Sequence, residues 1–168
     1  MLVCDINTDG GNETVKSNPS AMAFYRMDVT KASDWKGAVE TAIQNFGKCD
    51  ILVNNAGTSY RNKPTVEVTE EEFQRTFDVN VKGVYLGCNA WINQAIERKE
   101  GGVIINIASV GASRPRPGLV WYNASKGAIA NVRLQYHNVI LKLTLRRPQK
   151  VSRRSMDHTK SGSFLSAR

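Results

Sequence analysis

Short, continuously apolar runs alternate along this chain with longer segments whose apolar residues recur every three to four positions. The opening run "MLVCDI" reads as a buried strand, the turn-rich "NTDGGNE" leads to a short helix candidate, and "AMAFYRM" reads as a second strand ending at Asp28. Trp35, Ala38, Val39, Ala42, Ile43 and Phe46 then fall on one face of a 3.6-residue period, and Gly47 ends that helix. "CDILV" predicts a third strand running into "NNAG". Thr69 with Glu72 has the pattern of a capping box and opens a long helix through Phe73, Phe77 and Val81. Gly101 and Gly102 close that region, "VIINIAS" predicts a fourth strand, and a Pro- and Gly-rich loop leads to a helix beginning near Val120.

Strands that are apolar throughout, separated by helices, predict an α/β protein: a Rossmann-like, doubly wound parallel sheet with helices on both faces, in three layers. Ligands in such folds bind beyond the carboxyl ends of the strands. Asp5, Asp28, Asn54, Asn55 and Ser109 each stand at such an end. The four strand ends are expected to converge on one crevice.

A chain of 168 residues fits one domain, yet its formal charge of +8 is unevenly placed. Residues 1–132 hold 14 Lys/Arg and 14 Asp/Glu, whereas residues 133–168 hold 9 Lys/Arg against the single acid Asp157. The expected division is therefore a partial domain over 1–132 and a divergent basic tail over 133–168. In that tail "VILKLTL" is read as strand or helix, and the part beyond 148 as disordered. A basic tail could meet nucleic acid, but this one is nearly free of aromatic residues and carries no folded motif, so solvated disorder is favoured. His137 and His158 have no partner pattern and read as surface residues. Cys4, Cys49 and Cys88 match no disulfide framework and no metal-ligand spacing, so no metal is proposed and a reducing, cytoplasmic setting is expected. No apolar run is long enough to span a membrane. Because the chain opens inside a strand, its beginning is expected to be missing.

The chemistry is concentrated in "WYNASKGAIA". Taken alone, Tyr122 and Lys126 are an ordinary i, i+4 pair on a helix. They are joined by Ser109 at the preceding strand end, by "NNAG" (Asn54 to Gly57) at the strand end before that, and by Asn80 in "FDVNVKGVY". Over residues 1–132 this set resembles the classical short-chain dehydrogenase/reductases. The resemblance implies an enzyme that interconverts an alcohol and a carbonyl by hydride transfer with a nicotinamide cofactor. It implies that Tyr122 is the general acid/base, that Ser109 orients the substrate oxygen, that Lys126 binds the nicotinamide ribose and favours tyrosinate, and that Asn80 completes a proton relay. Asp28 and Val29 would contact adenine, and Asn54, Ala56 and Gly57 would line the cofactor. Self-association through the Asn80 and Tyr122 helices is implied in the same way.

Elementary chemistry agrees with those roles. A phenol with an ordinary pKa of about 10 is a poor base at neutral pH unless a cation stands near it, and Lys126 lies one turn away. A hydroxyl fixed at a strand end can hold a developing oxyanion. Asp5, at the end of the strand "MLVCDI", would accept hydrogen bonds from ribose hydroxyls and repel a 2′-phosphate, which favours NAD over NADP; the competing reading is that Asp5 caps the following turn. Arg114 and Arg116 read as a solvated basic loop, and Trp121 either lines a pocket or only packs.

Two departures from the family pattern bear on function. The glycine-rich phosphate loop is not found, and "NTDGGNE" lacks its spacing, so nucleotide affinity and fold stability are expected to suffer. After "YNASKGAIANV" the sequence resembles nothing in the family. The rival readings are a non-catalytic fragment that acts through exposed strand edges or its basic tail, and an epimerase or dehydratase built on the same Tyr-Lys pair.

Overall fold

The computed structural model describes residues 1–99 and 101–132. Nine regular elements follow one another as β1 (Leu2–Asp5), α1 (Thr8–Lys16), β2 (Ala23–Arg26), α2 (Ala32–Phe46), β3 (Ile51–Asn54), α3 (Glu70–Phe77), α4 (Gly83–Glu97), β4 (Val103–Asn106) and α5 (Val120–Ala130). The order is the alternation expected from the apolar pattern. Residues 133–168, with the strand or helix expected at "VILKLTL", the disorder expected beyond 148 and the two histidines, lie outside the described residues.

Several elements start and stop at local signals in their own residues. Thr69 caps α3 through a complete capping box, accepting from the Glu72 backbone while Glu72 accepts from the Thr69 backbone. Gly47 closes α2 at φ 79°, a left-handed geometry that costs glycine nothing. The segment "NTDGGNE" differs from its loop reading. Asn7 caps α1 by accepting from the Gly10 N–H, and the Gly pair lies inside the helix. Tertiary packing overrides the poor helix propensity there, because a Cβ on Gly11 would sit 2.0 Å from the Phe24 ring.

Both ladders are parallel. β1 pairs with β2 from Leu2↔Ala23 to Asp5↔Arg26, and β3 pairs with β4 from Ile51↔Val103 to Asn54↔Asn106. Among the described residues no ladder joins β1 to β3, so the strands form two sheets rather than one. They share a core. Val84, Cys88, Trp91, Ile92, Ala95, Ile104 and Ile129 form one buried cluster, Met27, Trp35 and Ala38 form another, and Leu52 packs against both. Trp91 is wholly buried and donates its indole N–H to the Cys49 carbonyl at 2.9 Å, so its polar atom is satisfied within the core.

The strands were expected to be covered on both faces, and β3 and β4 are not. Leu52 and Ile104 point into the core, whereas Ile51, Val53 and Ile105 on the opposite face are 62%, 49% and 44% exposed. Period-2 side-chain alternation explains the split: α4 packs against β3, Ile104 shares a buried cluster with Ile129 of α5, and Leu52 packs against the cluster holding Trp35 and Ala38 of α2. No described helix is long and apolar enough to cross a membrane.

Candidate active site

The site is built where β3 and β4 end. Register places Asn54 opposite Asn106, and the Asn54 Nδ2 donates to Asn106 Oδ1 at 2.9 Å, tying the two strand ends together. Asn54 is 5% exposed, and its Oδ1 lies against α4 where a Cβ on Gly87 would come within 2.6 Å of it. Its amide is therefore turned into the protein. Asn55, Ala56 and Gly57 follow it across the surface, all three exposed.

Asn80 meets that segment from the opposite side. It lies in a π turn, Asp78–Lys82, between α3 and α4, a wider winding that swings a residue out of α-helical register. Its side chain is fully buried and fully committed. Oδ1 accepts from the Thr58 N–H at 2.8 Å, and Nδ2 donates both to the Thr58 carbonyl and to Ser125 Oγ, each at 2.9 Å.

The helix α5 contributes the remaining groups. Lys126 is 6% exposed and donates from Nζ to the carbonyl of Ile107, just past β4, at 2.9 Å. A Cβ on Gly57 would lie 3.3 Å from Lys126 Nζ and 3.4 Å from Asn80 Oδ1, so the missing side chain there leaves open the space in front of both. Ser109 caps the short turn Val110–Ala112, its Oγ accepting from the Gly111 N–H at 3.1 Å. Acceptance from the backbone leaves the Ser109 proton to be donated elsewhere. Tyr122, half-buried, has no described protein partner for its hydroxyl.

The α5 N-terminus is clamped by the segment after "NNAG". Trp121 N–H donates to the hydroxyl of buried Tyr60 at 3.0 Å, Asn62 Nδ2 to the Pro117 carbonyl at 2.6 Å, and Lys63 N–H to the Gly118 carbonyl at 3.2 Å. Trp121 packs edge-on against Phe73, with ring centroids 5.2 Å apart, which favours the packing reading of that side chain. Arg114 and Arg116 are exposed.

The other sheet carries the remaining sequence-named residues. Asp5 is exposed, and its Oδ1 accepts from the Asn7 N–H at 2.8 Å, so it does cap the following turn. Asp28 Oδ1 accepts from the Thr30 N–H and hydroxyl at 3.0 and 2.7 Å, and those bonds hold its carboxyl below the ordinary range. Val29 packs against Gly83 at the start of α4, one helical step past the π turn, and this contact brings the second sheet beside the Asn80 region. Burial raises all three thiols, Cys4 to about 11, which keeps them protonated and unreactive. Surface depressions of about 540 Å³ (including Glu71, Arg75 and Asp78) and about 590 Å³ (including Pro117, Asn123 and Gly127) flank the site, and neither is lined by Ser109, Tyr122 or Lys126.

Sequence reasoning missed Asn106, Tyr60 and Ser125. Asn106 had a signal, because "ILVN" and "VIIN" are matching strand ends. Ser125 had a weaker one: it is three residues after Tyr122 and so falls on the inward side of the helix. Tyr60 had none.

Beyond the carboxyl ends of β3 and β4 the fold gathers the helix carrying Tyr122 and Lys126, the turn capped by Ser109 and the buried Asn80. The profile of the short chain dehydrogenase family matches residues 1–139, and the chain belongs to that family. It is 44% identical over 105 residues to a 4-formylbenzenesulfonate dehydrogenase of Comamonas testosteroni, covering 62% of this chain and 41% of that protein. It is 35% identical over 132 residues to a cyclopentanol dehydrogenase of Comamonas sp., covering 77% and 52%. A 3-ketoacyl-(acyl-carrier-protein) reductase from Brucella melitensis, solved with NADH, superposes with TM-score 0.69 at 40% identity, over 75% of this chain and 53% of that one. LigO from Sphingobium sp. strain SYK-6, in its apo form, superposes with TM-score 0.73 at 32% identity, over 77% and 48%. The chain thus spans about half the length of the relatives it matches.

Proposed function

We propose that this chain carries the proton-handling part of a nicotinamide-dependent oxidoreductase that interconverts an alcohol and a carbonyl. The observation that carries this reading is the arrangement around Tyr122. Its hydroxyl has no described protein partner, Lys126 is anchored one turn away by Ile107, and Ser109 keeps a proton to donate. In this reading the cofactor supplies or accepts the hydride. Tyr122 gives or takes the substrate's hydroxyl proton, and Ser109 donates a hydrogen bond to the substrate oxygen. Lys126 keeps a positive charge beside the phenol and binds ribose hydroxyls. Asn80 holds the segment after β3 in place for a proton relay.

The residues present suit the nicotinamide end of such a cofactor, because Gly57 leaves the Lys126 ammonium approachable and Ala56 and Gly57 are exposed. Asn54 supports them from behind. For the adenosine end, Asp5 keeps one carboxylate oxygen uncommitted and would accept from ribose hydroxyls, which favours NAD over NADP, and Asp28 and Val29 would contact adenine. Pyrophosphate is less well served. The described residues offer no glycine-rich loop opening a helix: Gly10 and Gly11 lie within α1, and Asn7 already takes the Gly10 N–H. We therefore propose impaired nucleotide binding in this chain. The same reading places residues 133–168 as a separate basic tail, the protein in the cytoplasm, and self-association along α4 and α5.

Titration of the folded 168-residue chain with NADH and NADPH by calorimetry tests the proposal. Weak binding that prefers NADH, with turnover abolished in Tyr122→Phe while nucleotide affinity is kept, is the expected result. A chain that unfolds cooperatively yet binds neither nucleotide would shift the reading to a non-catalytic protein. The exposed apolar face of Ile51, Val53 and Ile105 is the observation that favours that second reading.

A further inference from the structure

Ser125 has no part in the roles so far assigned, yet its side chain is wholly buried between two of them. Its Oγ donates to the Tyr122 carbonyl at 2.7 Å and accepts from Asn80 Nδ2 at 2.9 Å. A serine that bonds back to the carbonyl three residues earlier is commonplace in helices and by itself means little. The second bond is different, because it crosses from α5 to the π turn between α3 and α4. The two bonds make one continuous chain: Tyr122 carbonyl, Ser125 hydroxyl, Asn80 amide, and then both backbone groups of Thr58.

The donor inventory gives that chain a direction. A serine hydroxyl has a single proton, and here it is directed at Tyr122, so toward Asn80 Ser125 can only accept. Asn80 therefore presents its NH₂ to Ser125, in agreement with the two Thr58 backbone groups, which place Oδ1 against the N–H and Nδ2 against the carbonyl. Thr58 adjoins Gly57, the residue that leaves open the space before Lys126.

We infer that Ser125 is a positioning residue: it ties the Asn80 amide to α5 and so sets the placement of the Gly57–Thr58 backbone relative to Tyr122 and Lys126. The inference rests on the function proposed above. An alanine at 125 leaves one Asn80 N–H without an acceptor in a fully buried side chain, and the amide keeps its two bonds to Thr58 but loses its only described bond to α5.

The test uses the 168-residue chain as wild type, Ser125→Ala, Asn80→Ala and the double variant. With a nicotinamide nucleotide and an alcohol or carbonyl substrate, Ser125→Ala is expected to lower kcat about tenfold while the nucleotide KM changes by less than about twofold. The double variant is expected to be no slower than Asn80→Ala alone, because Ser125 acts through Asn80. Amide hydrogen exchange at Thr58, followed by NMR, is expected to speed up in Ser125→Ala and to recover in Ser125→Thr, which restores a hydroxyl. Wild-type kcat in Ser125→Ala, additive losses in the double variant, or unchanged Thr58 exchange would each overturn the inference. A folded wild-type chain without any turnover would refute the proposed function instead, and the Thr58 exchange would still decide for or against Ser125.

Discussion

Replacing Asn80 by alanine removes three hydrogen bonds from a side chain with no exposed surface. The losses are unequal. Ser125 keeps its bond to the Tyr122 carbonyl and stays satisfied, whereas the N–H and C=O of Thr58 both lose their protein partner. An unsatisfied buried group costs about 1–3 kcal/mol, and Thr58 is only half-buried, so the two groups together should cost about 2–3 kcal/mol. Alanine's better helix propensity returns about 0.5 kcal/mol, leaving a net destabilisation of about 2 kcal/mol. Asn89→Ala, at an exposed position of α4, carries the same propensity gain without the bonds and is the control. Urea unfolding followed by circular dichroism gives both values, provided that the slope with denaturant is unchanged. A difference between the two variants below about 0.5 kcal/mol would refute the view that Asn80 holds the Thr58 segment.

Three further outcomes are expected. Gly118→Ala should destabilise the entry to α5, because Gly118 has φ 76° and an added Cβ would lie 2.3 Å from Asn62 Oδ1; a melting temperature equal to wild type would contradict the clamp. Glu72 is held below the ordinary carboxylate range first by Lys63, 2.7 Å away, and then by the Thr69 backbone, so its contribution is present above about pH 4.3 and is lost as pH falls through the lowered value. Glu72→Gln should accordingly flatten the acid limb of a melting-temperature profile, and an unaltered limb would count against the box. Cys4, raised to about 11, should be about one part in a thousand thiolate at pH 8, so iodoacetamide should label it far more slowly than free cysteine unless the chain is unfolded.

Much of the frame was legible in the residues because local rules act on them directly. The period of the Trp35 to Phe46 segment, the Thr69–Glu72 box and Gly47 fixed two helices, and the strand ending at Asn54 followed from a short apolar run, whereas Ser109 lies three residues beyond the end of β4. Tyr122, Lys126, Ser109 and Asn80 could be named because their types and order are distinctive. Only packing could decide the rest. Gly10 and Gly11 read as a turn until Phe24 required a helix with no Cβ beside its ring. Apolar strands read as covered on both faces, but coverage depends on which elements pack there, and β3 and β4 are covered on one. Asn80 was placed on a continuous helix, whereas a π turn aims its amide at Thr58 and Ser125, residues 22 and 45 positions away along the chain. Sequence determined which groups could do chemistry here. Their orientation depends on hydrogen bonds between distant residues, which exist only once the helices and strand ends have been brought together.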